Sequence, residues 1–127
     1  MQTRIEINGI EFLSAWQIQE TFDGYCVNTF VPMPTPFTSE WIIIKVYKKN
    51  GGNFVIKDDT IFDWFQNKGV NPLNTKLKDK CNQYLSNYNL EIDKLGDVIL
   101  ETNPNNLVDD ILRVIQGILN CLYNIKV

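Results

Sequence analysis

The sequence predicts one α+β domain over residues 1–127: a mainly antiparallel β-sheet of hairpins, a two-helix insertion after Asp59, and a long C-terminal helix packed on the sheet. Three observations carry this. Gly-containing turn dipeptides punctuate the first half between short runs rich in Ile, Val and aromatic residues. The apolar period changes from strand-like to helical at Asp58-Asp59. The C-terminal stretch then carries Leu107, Ile111, Val114, Ile115, Ile118 and Leu122 at the spacing of one helix face.

The first third reads as β. "RIEINGIEF" alternates Ile and Glu around Asn8-Gly9, a type I′ hairpin signal. "WQIQETFDGYCVNTFV" repeats the pattern around Asp23-Gly24, with Trp16, Ile18 and Phe22 leading in and Tyr25, Val27 and Phe30 leading out. Its alternation slips near Glu20-Thr21, and a short helix within residues 10–19 is the alternative. In "VPMPTPF" three prolines at every second position forbid ladder donation and favour an extended crossover. "EWIIIKVYKKNGGNFVIKDD" is the clearest hairpin. Trp41 to Tyr47 reads as a strand buried on both faces at its centre, Asn50-Gly51-Gly52 as the turn, and Phe54 to Ile56 as the return.

Ile61, Phe62, Trp64 and Phe65 then fit one face and a shoulder of a short helix that Gly69 stops. Leu77, Cys81, Tyr84, Leu85 and Tyr88 form a second helical stripe, with Lys76, Lys78 and Lys80 largely off it. "LEIDKLGDVILET" reads as another hairpin turning near Lys94 to Asp97. Asn106 is placed to cap the last helix, with Asp109 and Asp110 in its first turn, where the helix dipole favours anions. Val108, Leu112 and Leu119 widen its apolar stripe, so the helix is expected to be buried against a sheet or a second subunit. Gly117 inside it costs about 1 kcal/mol relative to Ala and points to close packing there.

Composition narrows the chemistry. Apolar residues make up 44% and charged residues 21% of 127 positions, which suits a folded domain and excludes disorder. No apolar run is long enough to span a bilayer and the N-terminus has no signal-peptide core, so the expected location is cytoplasmic. There is no histidine, which removes Ser–His and Cys–His catalysis. Cys26, Cys81 and Cys121 are widely spaced, and the expectation is free thiols with no zinc site and no cofactor.

Charge is uneven. Residues 1–44 hold one basic and five acidic groups, residues 45–80 eight and four, and residues 81–127 three and six. The central basic belt suits an acidic partner or nucleic acid, although the net charge of −3 disfavours a simple DNA binder. Its solvated-face alternative is ordinary.

Carboxylates are the only catalytic candidates. Asp58 and Asp59 close a strand, Asp63 lies one helical turn on, and such a cluster can hold Mg²⁺. Glu40 and Lys45, five apart, should point to opposite faces of their strand, which is wrong for a shared nuclease site. Capping is the favoured role. Asp58 or Asp59 would accept from the first N–H groups of the helix, and Thr60-x-x-Asp63 is a capping-box variant.

The order strand, "TPF" (Thr35 to Phe37), "WIIIKVYKK", "FVIKDD" (Phe54 to Asp59), "GV" (Gly69-Val70) and C-terminal helix resembles the DUF1828 family of bacterial and prophage proteins over roughly residues 25–125. Family members usually read Thr-Asp-Asp-Gly where this chain has Lys57-Asp58-Asp59-Thr60, and commonly start with a helix where residues 4–31 look β. The resemblance implies no activity. It does imply a phage or mobile-element setting, in which small acidic proteins frequently bind a host protein.

The leading expectation is therefore a non-enzymatic protein-binding module that binds a host or phage protein, in particular as an inhibitor of a bacterial defence complex of CRISPR-Cas type. Lys48, Lys49, Lys76 and Lys80 are the expected contacts, with Tyr47 and Trp64 as anchors. A variant uses an acidic face of Asp93, Asp97 and Glu101. The alternative is a nucleic-acid-binding or metal-dependent nuclease-like protein using the basic belt and Asp58, Asp59 and Asp63. A further expectation is homodimerisation through Ile111 to Leu122.

Overall fold

In the computed structural model the chain is described over residues 3–34 and 40–126; the "TPF" motif at Thr35 to Phe37 lies outside them. Asn8 and Gly9 both take positive φ (53° and 79°), as a type I′ turn requires, and join β1 (Arg4–Ile7) to β2 (Ile10–Leu13). This hairpin is its own two-stranded sheet. No helix forms in residues 10–19, because Phe12 and Leu13 anchor β2 in the core and Gln17 already begins β3 (Gln17–Thr21).

A five-stranded antiparallel sheet follows in the order β3, β4 (Gly24–Pro32), β5 (Trp41–Lys48), β6 (Phe54–Asp58), β7 (Val98–Thr102). The β3–β4 turn sits one residue earlier than the sequence suggests. Thr21 pairs with Gly24, so Phe22 and Asp23 make the loop and Phe22 stands fully in solvent. Gly24 has a different job. A Cβ there would sit 1.8 Å from the Val46 carbonyl oxygen, so glycine is what lets β5 approach.

The strand β5 also departs from its sequence reading. Its burial alternates: Ile42, Ile44 and Val46 are fully buried, whereas Trp41 and Ile43 are 44% and 43% exposed. Ile42, Ile44 and Val46 join the core cluster on one side of the sheet, and the "WIIIKVY" run alternates because the core covers only that side. Between Asn28 and Pro32 the β4–β5 register shifts. There Phe30 adopts φ 57°, its N–H donates to Asn28 Oδ1, and the buried Thr29 hydroxyl donates to the Ile42 carbonyl at 2.7 Å. This bulge sets Phe30 edge-on against Trp41, with ring centroids 5.8 Å apart.

The hairpin between β5 and β6 turns through Asn50–Gly52, where Gly51 and Gly52 both take positive φ. Helix α1 (Thr60–Asn67) follows β6 and ends in a Schellman motif: the Gly69 N–H donates to Gln66 and the Val70 N–H to Phe65, with Gly69 at φ 75°. Helix α2 (Thr75–Leu85) is capped by Asn74, which accepts from the Lys76 and Leu77 N–H groups. It buries Leu77, Cys81 and Leu85.

The hairpin expected in residues 90–102 shrinks to one bridge, Ile92 to Val98; β7 pairs along its length with β6 instead. The turn itself forms where the sequence placed it. Asp93 Oδ1 accepts from the Leu95 and Asp97 N–H groups, and Gly96 takes φ 87°.

Helix α3 (Leu107–Asn124) contacts β2, β7, α1 and α2. Its predicted stripe is buried throughout, and Gly117 lies where a Cβ would be 2.8 Å from Leu90 and 3.1 Å from Leu85. The Asn106 side chain makes no cap; Asn103 Oδ1 instead accepts from the Asn106 N–H. One apolar cluster runs from Phe12 to Ile125. Among the described residues no helix is long and apolar enough to cross a membrane.

Candidate functional site

The Asp58-Asp59 pair is split by the sheet. Asp58 follows Phe54 and Ile56 at period two on the inner face of β6, and is only 3% exposed. Its Oδ1 accepts from the Thr60 N–H at 2.9 Å and its Oδ2 from the Thr60 hydroxyl at 3.0 Å. Desolvation pushes its pKa up to about 7, against the opposing effect of the Thr60 hydrogen bonds. Asp58 thus ties the strand to the helix start. The capping box does not form: Thr60 is the first helical residue, and Asp59, at the cap position, makes no side-chain cap bond. Asp59 stays exposed on the other side of the chain.

The outer side of the sheet carries a groove of about 390 Å³ between β5 and α1. Its apolar lining is Cys26, Met33, Trp41, Ile43 and Trp64. Its polar lining is Glu40, Lys45, Asp59, Thr60, Asp63 and Asn67. Glu40 and Lys45, expected on opposite faces, share this groove because Glu40 precedes the first residue of β5 and escapes its alternation. Desolvation, Asp59 and Glu40 raise the Asp63 pKa, and Lys45 opposes them. Among the described residues, Glu40, Asp59 and Asp63 have no cation within 4.0 Å, and no three carboxylates or thiols are placed to share a metal ion.

The remaining predicted site residues are dispersed. Lys48 holds its ammonium 5.8 Å from the centre of the Tyr25 ring. Lys49 is ion-paired with Glu101, and Lys57 Nζ lies 3.9 Å from Asp97, so the basic belt and the acidic face interlock across β6 and β7. Asp93 is spent in its turn. Tyr47 is half-buried in a shallow groove beside Tyr25. Lys76 and Lys80 flank a groove of about 270 Å³ with Lys126, apart from the others. Trp64 is half-buried in the main groove, with the Lys68 ammonium 4.7 Å from its ring centre.

Ile111, Val114, Ile115, Ile118 and Leu122 are covered by the chain's own sheet and helices, so that stripe is no free subunit face. Cys81 and Cys121 are buried between α2 and α3, where the hydrogen bond with Cys81 holds the Cys121 thiol above its ordinary range. The sequence reading missed Trp41, Ile43, Met33 and Cys26 as site residues. The signal available was Lys45, which breaks the "WIIIKVY" run and marks the outer face.

Neither a curated protein nor a solved structure matches the chain. A family model does: the domain of unknown function DUF1828 matches residues 35–121, a span holding β5 to β7, both insertion helices, most of α3 and nine of the groove residues, Glu40 to Asn67. On that match, which covers more than half of the sequence, the chain belongs to the DUF1828 family.

Proposed function

We propose that the chain is a non-enzymatic protein-binding module and that the groove between β5 and α1 is its contact surface. The observation that carries this is the exposed apolar cluster of Phe30, Trp41 and Ile43 on the uncovered face of the sheet. Among the described residues these side chains lie outside the core, so a second molecule docking here would bury them. Trp and Tyr are also the residue types that dominate contact energetics, because they bury large rigid surfaces at low entropic cost. In the finer reading the partner is a host or phage protein, and the chain is a mobile-element product that inhibits a bacterial defence complex of CRISPR-Cas type, acting in the bacterial cytoplasm.

The test compares wild type with Trp41→Ala and Ile43→Ser as baits in a bacterial lysate. A prey retained by wild type and lost by both variants supports the reading. Cys26, the one half-buried thiol and a groove residue, should be alkylated more slowly when that prey is bound. The rival reading, a nucleic-acid-binding or metal-dependent nuclease-like protein, draws on Lys45 and the three carboxylates sharing one groove. Mg²⁺- or Mn²⁺-dependent cleavage by wild type, lost in Asp59→Ala and Asp63→Ala, would replace the leading proposal with this one.

A further inference from the structure

The apolar groove is charged in an unbalanced way. Three carboxylates (Glu40, Asp59 and Asp63) and one ammonium (Lys45) line it, around the side chains of Trp41, Ile43 and Trp64, and a second ammonium, Lys68, lies over the Trp64 ring without pairing to any of the three. Burial first, and then the charges of Asp59 and Glu40, raise the Asp63 pKa, with Lys45 opposing them. Among the described residues none of the three is ion-paired, while Lys49, Lys57, Arg4 and Arg113 are all engaged elsewhere. An apolar floor with an under-neutralised acidic rim complements a segment that pairs a large apolar side chain with a basic one.

Resting on the protein-binding reading, we infer that the groove takes a basic linear segment of another protein, with an aromatic or large aliphatic anchor against Trp41, Ile43 and Trp64 and an adjacent Lys or Arg at Glu40, Asp59 and Asp63. A cation brought there relieves the repulsion among the carboxylates, so affinity comes with a preference for sequence and a dependence on salt.

The probe is a phage-displayed library of random twelve-residue peptides, selected on the immobilised full chain. Enriched peptides are then synthesised and measured by fluorescence anisotropy. The expected consensus places Lys or Arg within three positions of Trp, Phe, Leu or Ile. Binding should weaken roughly tenfold or more in Glu40→Gln/Asp59→Asn/Asp63→Asn, fall comparably in Trp41→Ala, and decline as NaCl is raised. The three carboxylates are exposed, so the triple variant should keep its fold by circular dichroism.

A neutral or acidic consensus, no enrichment, or unchanged binding by the triple variant overturns the inference. Two results would do so while sparing the protein-binding reading. One is enriched peptides that depend on Lys76 and Lys80 instead of the groove. The other is a folded prey that requires Trp41 and Ile43 when no peptide is enriched.

Discussion

The buried carboxylate of Asp58 makes stability fall as pH rises. Its pKa moves from 3.8 in the unfolded chain to about 7 in the fold, because the charged form is stripped of water. Between those values the folded state holds a proton that the unfolded state has released, so raising the pH favours unfolding. At roughly 1.4 kcal/mol per pH unit, the whole span corresponds to about 4 kcal/mol, and the part between pH 5.5 and 8.5 to about 2 kcal/mol. That window also avoids the isoelectric point near 4.8. Asp58→Asn is the isolating perturbation. Asn keeps an oxygen for the Thr60 N–H, and its amide can donate to the Thr60 hydroxyl, but it carries no charge. Urea denaturation followed by Trp fluorescence reads the effect, since Trp64 lies on the helix that Asp58 starts. Wild type should lose about 2 kcal/mol across the window, and Asp58→Asn should lose less and be the more stable at pH 8.5. Asp63 and Asp97, also raised, remain in both proteins, so the difference between the two slopes reports Asp58 together with its coupling to Asp59 and Asp97. Equal slopes, or an Asn variant less stable than wild type at pH 8.5, would refute the reasoning.

Four further substitutions test the packing. Gly24→Ala forces a Cβ onto the Val46 carbonyl oxygen and should cost about 3 kcal/mol or more, because backbone has to move; urea titration measures it. Gly117→Ala gains about 1 kcal/mol of helix propensity but must displace the buried Leu90 and Leu85, and overpacking of this kind costs about 1–3 kcal/mol. A net loss of about 1 kcal/mol is expected in the same assay, and a clear gain would show that α2 and α3 have slack. Ile43→Ser, on the open face of β5, should change stability by less than about 1 kcal/mol while abolishing prey capture, whereas the fully buried neighbour Ile44→Ala should cost about 2–4 kcal/mol.

Local chemistry was legible in the sequence. Asn8-Gly9 and Gly69 stand where positive φ is needed, and the stripes of α2 and α3 bury as their spacing predicts, because these features rest on contacts within a few residues. Pairing between distant segments was not. β7 looked like the second arm of a local hairpin, yet it joins β6 because the ladder there is longer and its inner face meets the core. The charged belt and acidic face, separate along the chain, meet in two ion pairs beside β6 and β7, Lys49 with Glu101 and Lys57 with Asp97. The candidate site belongs to the same class. Glu40, Trp41, Asp59 and Trp64 share a groove only once β5, β6 and α1 are assembled.

The sequence by itself determined the class of fold, the helices and most of the turns, and the lack of imidazole chemistry. The tertiary structure decided which face of "WIIIKVY" is open and which aspartate of "KDDT" is buried. The physical reason is the two-residue period of a strand. It sends alternate side chains to opposite faces, and only the assembled core determines which of those faces is covered.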